Sequence, residues 1–337
     1  MITEFLLTVV RNQNLTESEA EHAMDTIISG ETTDIQIGAF IAAMTTKGTT
    51  PEEIAAFARA MMNSAVKIYP EVDGLLVDTC GTGGDGSDSF NISTASALVS
   101  AGAEIPIVKH GNRRVSSRCG SADVLEKLGV NIEAPPEVVT SSIENIGIGF
   151  LNAKIHHPAM KYAAKAREEI GIRSFFNILG PLSNPASATS QLLGVYEPEL
   201  TVPIAEVLRI LGVENAMVVH GSGLDEITTT GETKISFLQK TGSITTYTIV
   251  PEEFGIPRSD ISDISGGDSA QNAKIIMEIL EGEKGACRDI VLLNSAAAIY
   301  LGGGSESMKD GIQKAEQSID SGNAAEKLMK LIEIMEG

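Results

Sequence analysis

Three stretches of the chain have the residue types and spacing to hold a phosphorylated ligand. The first, "GTGGDGSDSFNIST", runs from Gly81 to Thr94. Its glycines leave backbone N–H groups accessible, and Asn91, Ser93 and Thr94 follow at an expected helix start. Glycine-rich nests and helix N-termini bind phosphate oxygens through such donors and through the helix dipole. Two familiar patterns match the letters and fail on placement. Gly81, Gly83 and Gly86 spell G-x-G-x-x-G, but a dinucleotide turn opens its helix among the glycines, whereas Ser93 lies seven positions past Gly86. Gly81 and Gly86 also have P-loop spacing, yet Ser87-Asp88 stands where a lysine and a hydroxyl residue belong. Taken alone, the stretch reads equally well as a surface loop.

The second stretch, "VKHGNRRVSSRCGSAD", carries Lys109, Arg113, Arg114 and Arg118 with no acid before Asp123. On a strand-end loop, in a chain of net charge −20, this local positive charge points to an anionic ligand. Ser116, Ser117 and Ser121 add hydroxyl donors. A solvated basic face is the plainer alternative. The third stretch, "HGSGLDEITTTGET", sets Asp225 beside Glu226 just after another expected strand. Adjacent carboxylates suit Mg2+, which takes one or two protein carboxylates and completes its shell with waters and substrate phosphates. By itself the pair reads as a solvated acidic turn. An anion that arrives with its metal also accounts for the acids of the glycine stretch.

The remaining sequence describes the scaffold that must position these stretches. At 337 residues the chain has room for two domains and a sizeable core. Hydrophobic residues make up 42% and aromatics only 4%, so small aliphatic side chains fill that core, which suits helices packed on a parallel sheet. The first 70 or so residues read as helices. Thr16 with Glu19, and Thr50 with Pro51 and Glu53, mark two helix starts. Ile54, Phe57, Ala58 and Met61 form a stripe for a core or a subunit interface. From Leu75 the pattern alternates: "LLVDT", "IPIVKHG", "VNIEA", "GIGFLN", "QLLGVY" and "AMVVHG" read as strands between helices, and Thr-rich strands follow at roughly 228–250. The expected fold is α/β, with a small all-helical N-terminal domain and a larger α/β domain whose mostly parallel central sheet is flanked by helices. The helical domain spans 1–70, joined by about 171–188; the α/β domain spans 71–170 and 189–337. The acidity disfavours a nucleic-acid surface. No apolar run reaches the length of a membrane span, and the N-terminal segment lacks a basic-then-apolar leader, which predicts a cytoplasmic protein. The three cysteines show no metal or disulfide spacing and read as reduced thiols.

In order along the chain, "GTGGDG...FNIST", "KHGNR..SS..GSAD", "HPAM......R..IG.R..FN.LGPL.NPA" and "GLDEI" resemble the successive signatures of the anthranilate phosphoribosyltransferases. The likeness covers about residues 75–235, and the helical beginning agrees with it. It implies transfer of phosphoribose from phosphoribosyl pyrophosphate (PRPP) to the amine of anthranilate, with Mg2+ as cofactor and a homodimer formed through the helical domain. It implies PRPP contacts at Gly81, Gly84, Asp85, Ser89, Asn91, Ile92, Ser93 and Thr94. They continue through Lys109, His110, Gly111, Asn112, Arg113, Arg114, Val115, Ser116 and Ser117 to Ser121. Metal ligands fall on Ser93, Asp225 and Glu226, and anthranilate contacts on Gly81, Asn112 and Arg167, with His110 lining the pocket. A planar guanidinium at Arg167 matches the anthranilate carboxylate at two points.

Asn152 and His156 stand where the family often has an aromatic or apolar residue, and Arg114 where it usually has a small one. The first two are expected to shape the entry for anthranilate, with His156 in a channel or at the surface. Two other readings stay open at this stage. A pyrimidine nucleoside phosphorylase shares the architecture, though "HGN" with "GLDEI" favours the transferase. A non-catalytic nucleotide- or nucleic-acid-binding relative is disfavoured by the intact acid pair and the negative charge.

Overall fold

The computed structural model describes residues 1–114 and 118–336. Val115, Ser116 and Ser117, expected PRPP contacts, lie outside the described residues. Four helices open the chain: α1 (Ile2–Val9), α2 (Glu17–Ile28), α3 (Asp34–Lys47) and α4 (Pro51–Asn63). Thr16, Thr33 and Thr50 start the last three with complete capping boxes, so each helix start is specified locally.

Alternation then begins with β1 (Val77–Gly81), α5 (Ile92–Gly102), β2 (Ile107–Gly111), α6 (Ser121–Lys127), α7 (Pro136–Ile146) and β3 (Ile148–Asn152). A helical excursion follows, with α8 (Ala153–His156), α9 (Lys161–Ile170) and α10 (Phe175–Leu179). The chain returns through β4 (Ser190–Gly194), α11 (Thr201–Leu211), β5 (Asn215–Gly221), β6 (Thr233–Leu238) and β7 (Ile244–Ile249). It ends with α12 (Ser269–Leu280), α13 (Ala286–Leu301), α14 (Met308–Asp320) and α15 (Asn323–Glu336).

The seven strands form one sheet in the order β3-β2-β1-β4-β5-β6-β7. Pairing is parallel from β3 to β5 and antiparallel for β6 and β7, as expected of a mostly parallel sheet. The segment 130–134, expected as a strand, is not one. Val130 and Ile132 are buried, but a turn joins Ala134 N–H to Asn131 O, and β3 takes its pairing from β2. Apolar alternation here reflects burial without a strand partner.

Strand alternation divides the core between two faces. Val77, Leu192, Met217 and Val219 point to one side, where α5 and α13 pack. Cys80, Leu193, Ala216 and Val218 point to the other, into a cluster continuous with the opening helices. Phe175 of α10 joins that cluster between Phe40 and Phe57, with ring centroids 6.1 and 4.7 Å away. Helix α9 also lies against α3 and α2, although its residues read with the sheet domain in the sequence.

Candidate active site

Strand order reverses between β1 and β4, the place where open α/β sheets bind ligands beyond their strand ends. Thr82 N–H donates to Gly194 O at 2.9 Å, so the glycine loop leaves β1 alongside the end of β4. Gly83 (φ 64°) and Gly84 (φ 74°) then turn the chain through the left-handed region. The loop after β5 delivers the acid pair to this spot. Asp225 Oδ2 accepts from Gly83 N–H at 2.7 Å. Asp225 packs so tightly over both strand ends that a methyl group at Gly81 or Gly194 would overlap it. Glu226 Oε1 accepts from Ser93 N–H at 3.1 Å in the first turn of α5. Asp85 closes its own loop by accepting from Ser87 N–H at 3.1 Å and Ser87 Oγ at 2.8 Å, and Ser87 reaches Ser89 Oγ at 3.2 Å. Asp225 N–H points back at Asp85 Oδ2 from 3.4 Å.

Two expectations about donors need correcting. The amides of Thr82 and Gly83 are held by the protein, so the segment Gly81–Gly84 does not offer a full row of free N–H groups. The helix that was expected to start at Ser93 starts at Ile92, and Glu226 already occupies its Ser93 N–H. Of these three donors, Gly83 and Ser93 N–H are satisfied by carboxylates and Thr82 N–H by the Gly194 carbonyl.

The basic stretch is also less free than its sequence implies. Lys109 does not stand on the loop. Strand alternation turns it inward, where it is buried and its Nζ donates to Thr79 O at 2.6 Å and Ser93 Oγ at 3.1 Å. Burial lowers its pKa, while Asp78, Cys80, Glu226 and Asp225 act the other way. Arg113 is gripped by Glu126 at 2.8 Å and Asp123 at 3.1 Å, and Arg118 pairs with Asp88 at 3.3 Å. Arg114 donates its backbone N–H to Asp123 at 2.8 Å. Carboxylates of the helix that follows, Asp123 and Glu126, and of the glycine loop, Asp88, thus close onto the basic loop.

His110, on the opposite face of β2 from Lys109, is buried, with Nδ1 3.2 Å from Gly180 O and its ring 5.1 Å from that of His157. Burial, then the neighbouring His157, hold its pKa well below the imidazole range. Its Nε2 has no partner among the described residues. The carbonyl of Asn112 accepts from Ala122 N–H at 3.1 Å and Ser121 Oγ at 3.4 Å, which ties the loop to the start of α6. Arg167, on α9, lays its guanidinium over Phe176, 5.1 Å from the ring centre. No hydrogen bond joins it to His110 or Asn112 among the described residues. Ile92 is buried, and Thr94 Oγ1 is buried without a partner among the described residues.

Sequence reasoning missed the buried polar groups beneath these side chains. Asp78, inside β1, accepts from His110 N–H at 3.3 Å and from Asn184 Nδ2 at 2.8 Å. Asn184 Nδ2 also donates to Val108 O at 2.8 Å, and Gln191 of β4 donates to Pro181 O at 2.6 Å. Together they hold the segment 180–184 against the sheet beside His110. An acid within the apolar run "LLVDT" was the available signal. Two departures are also reassigned. His156 is buried, neither channel nor surface, with Nδ1 2.7 Å from Val66 O. Asn152 caps α8 through Lys154 N–H and donates to Ile132 O at 3.0 Å, so its amide is structural.

The donor chemistry around Asp225 fits a hard divalent cation. Burial, then the neighbouring acid, push the Asp225 and Glu226 carboxyls above the usual range; Asp85 is that neighbour for Asp225, and Asp225 for Glu226. Asp85, Asp225 and Glu226 therefore form one acidic group, with buried Lys109 beside Glu226 and Asp225. Among the described residues no cluster of three or more histidine, cysteine or acidic side chains forms a complete metal cage. Also among the described residues, no helix is long and apolar enough to cross a membrane.

Residues 3–65 match the model of the glycosyl transferase family's helical bundle domain, and 73–325 that of its a/b domain. Anthranilate phosphoribosyltransferase of Methanocorpusculum labreanum is 57% identical over 98% of this chain and 97% of its own length. The crystal structure of the Thermus thermophilus enzyme superposes with a TM-score of 0.94 at 40% identity, covering 98% of this chain and 99% of that one. The Saccharomyces cerevisiae enzyme in complex with PRPP and Mg gives 0.90 at 28% identity, covering 99% and 98%. With its glycine loop, basic loop and acid pair converging at the switch point of the sheet, the chain belongs to the anthranilate phosphoribosyltransferase family.

Proposed function

We propose that the chain transfers the 5-phosphoribosyl group of PRPP to the amine of anthranilate, releasing pyrophosphate, in tryptophan biosynthesis. The observation that carries this reading is the docking of Asp225 on Gly83 N–H and of Glu226 on Ser93 N–H. It joins the acid pair, the glycine loop and a helix N-terminus into one site for a phosphate ligand that travels with a cation. The ligands named for the yeast relative, PRPP and Mg, agree with it.

Asp225, Glu226 and the Ser93 hydroxyl would hold Mg2+, which when bound offsets the negative charge gathering on the departing pyrophosphate. Lys109, fixed by Thr79 and Ser93, keeps a positive charge behind the same spot. A preorganised charge stabilises the leaving group more as the bond to C1 of the ribose breaks than before. An aryl amine needs little activation once C1 is electrophilic, so positioning suffices, and no dedicated strong base is required. Neutral His110 and the segment 180–184 wall the aromatic side, and Arg167 pairs with the anthranilate carboxylate. A homodimer through the helical lobe is supported by Leu7 and Ile35, exposed on the contacting helices α1 and α3, and by exposed Val10 just past α1.

The test is loss of anthranilate fluorescence on adding protein, PRPP and Mg2+, with each component omitted in turn. Loss only in the complete mixture is expected, and Arg167→Ala should raise the anthranilate KM roughly tenfold or more with the PRPP KM little changed. Phosphorolysis of a pyrimidine nucleoside without loss of anthranilate would contradict the assignment.

A further inference from the structure

Residues 264–272 reach the site from a part of the chain that carries none of the ligand motifs. They lead into the first turn of α12 and run along the exit of the glycine loop. Phe90 N–H donates to Ile264 O at 3.3 Å, and Gly266 N–H donates to Asp88 O at 2.8 Å. Ser89 and Ser265 form an antiparallel bridge between these two contacts. Helix α12 also packs against α6, the helix that follows the basic loop. One segment therefore braces both loops.

At its end stands Asn272, 1% exposed. What it meets dictates which way its carboxamide points. Oδ1 accepts from Gly267 N–H at 2.7 Å, and a backbone N–H can only donate, so Nδ2 is the end that faces Asn91. There it donates to Asn91 Oδ1 at 2.9 Å. Asn91 is thereby turned with its own Nδ2 toward Cys119 O at 3.2 Å, and a carbonyl can only accept. Backbone groups at both ends fix two amide orientations in series. Asn91 makes no side-chain cap for α5, so its carboxamide is committed to this chain. Its Nδ2 carries two hydrogens; one is on Cys119 O, and no partner takes the other among the described residues.

We propose that Asn272 is a positioning residue for PRPP, setting the gap between the glycine loop and the basic loop through Asn91 and turning one Asn91 N–H toward the phosphate-bearing ligand. The inference rests on the function proposed above. Asn272 touches no reacting atom; it acts through Asn91.

Asn272→Asp keeps an acceptor for Gly267 N–H but has no N–H for Asn91. PRPP affinity is measured by titration calorimetry with Mg2+ and without anthranilate, and the KM values of both substrates in the complete reaction. In Asn272→Asp the PRPP Kd and KM should rise roughly fivefold to twentyfold, with the anthranilate KM and melting temperature near wild type. Asn91→Ala should weaken PRPP similarly, and the double variant should be no worse than Asn91→Ala alone, because one residue acts through the other. If Asn272→Asp does not fold, Asn272→Ser goes through the same cycle. Unchanged PRPP affinity, additive losses, or equal losses for both substrates would overturn the proposal. A protein that shows the predicted PRPP pattern yet never consumes anthranilate overturns the function and leaves the role of Asn272 standing. A wild type that binds no PRPP overturns both.

Discussion

Asp78 and His157 show how buried titrating groups beside the site oppose one another. Burial raises the Asp78 pKa to about 6, against the pull of Lys109 and the hydrogen bonds from Asn184 and His110 N–H. Between its unfolded value near 3.8 and about 6, the folded chain holds more protons at Asp78 than the unfolded chain, so its contribution to stability falls as pH rises. Burial lowers the His157 pKa to about 4, and there the unfolded chain holds more protons, so that contribution rises with pH. Asp78→Asn removes the falling component alone. Relative to wild type, the variant should gain about 2 kcal/mol of unfolding free energy between pH 4 and pH 7, whatever its absolute stability. Urea denaturation at each pH unit measures this, and a constant difference across the range would contradict the burial assigned to Asp78.

In the helical lobe one carboxylate holds three elements together. Glu53 is fully buried at the start of α4, where Oε1 accepts from Leu15 N–H and Oε2 from Thr50 N–H and Lys47 Nζ, each at 2.8 Å. It thereby ties the turn before α2 and the end of α3 to its own capping box. Glu53→Gln leaves Lys47 and one backbone N–H poorly matched, and should cost about 3 kcal/mol by urea denaturation. A loss below about 1 kcal/mol would mean that the capping role is local only. The capping box itself was legible in the sequence, because Thr50, Pro51 and Glu53 act over one turn. The reach of Glu53 to Leu15 and Lys47 was not, since it depends on how helices pack. The same limit explains the basic loop. Four cations were legible, but Glu126 and Asp88 reach Arg113 and Arg118 only through the fold. "VNIEA" misled in the opposite sense, because period-two burial in so short a segment says nothing about a strand partner.

At the scale of the whole molecule, the sequence disclosed the βαβ alternation, the helical opening and the stretches that meet at the site, since each is a contiguous motif. Asp78 was marked only by its place in an apolar run, while Asn184, Gln191 and Asn272 stayed hidden because a single buried amide has no local pattern; only the sheet brings its partners together. The topology also sorts the two substrates. The loops proposed to hold PRPP leave the strand ends at the β1/β4 switch point, while Arg167, proposed to meet anthranilate, stands on α9, which packs against α2 and α3. On the proposed reading the buried acid pair repels a naked polyanion, so the phosphate ligand arrives together with its cation. The most direct measurement is titration calorimetry of PRPP, with and without Mg2+, into wild type and into the Asp225→Asn, Glu226→Gln double variant. Wild type should bind PRPP with a strong dependence on Mg2+, and the variant should lose at least about tenfold in affinity together with that dependence. Equal affinity and equal Mg2+ dependence in the two proteins would contradict the assignment of the acid pair to the metal–PRPP complex.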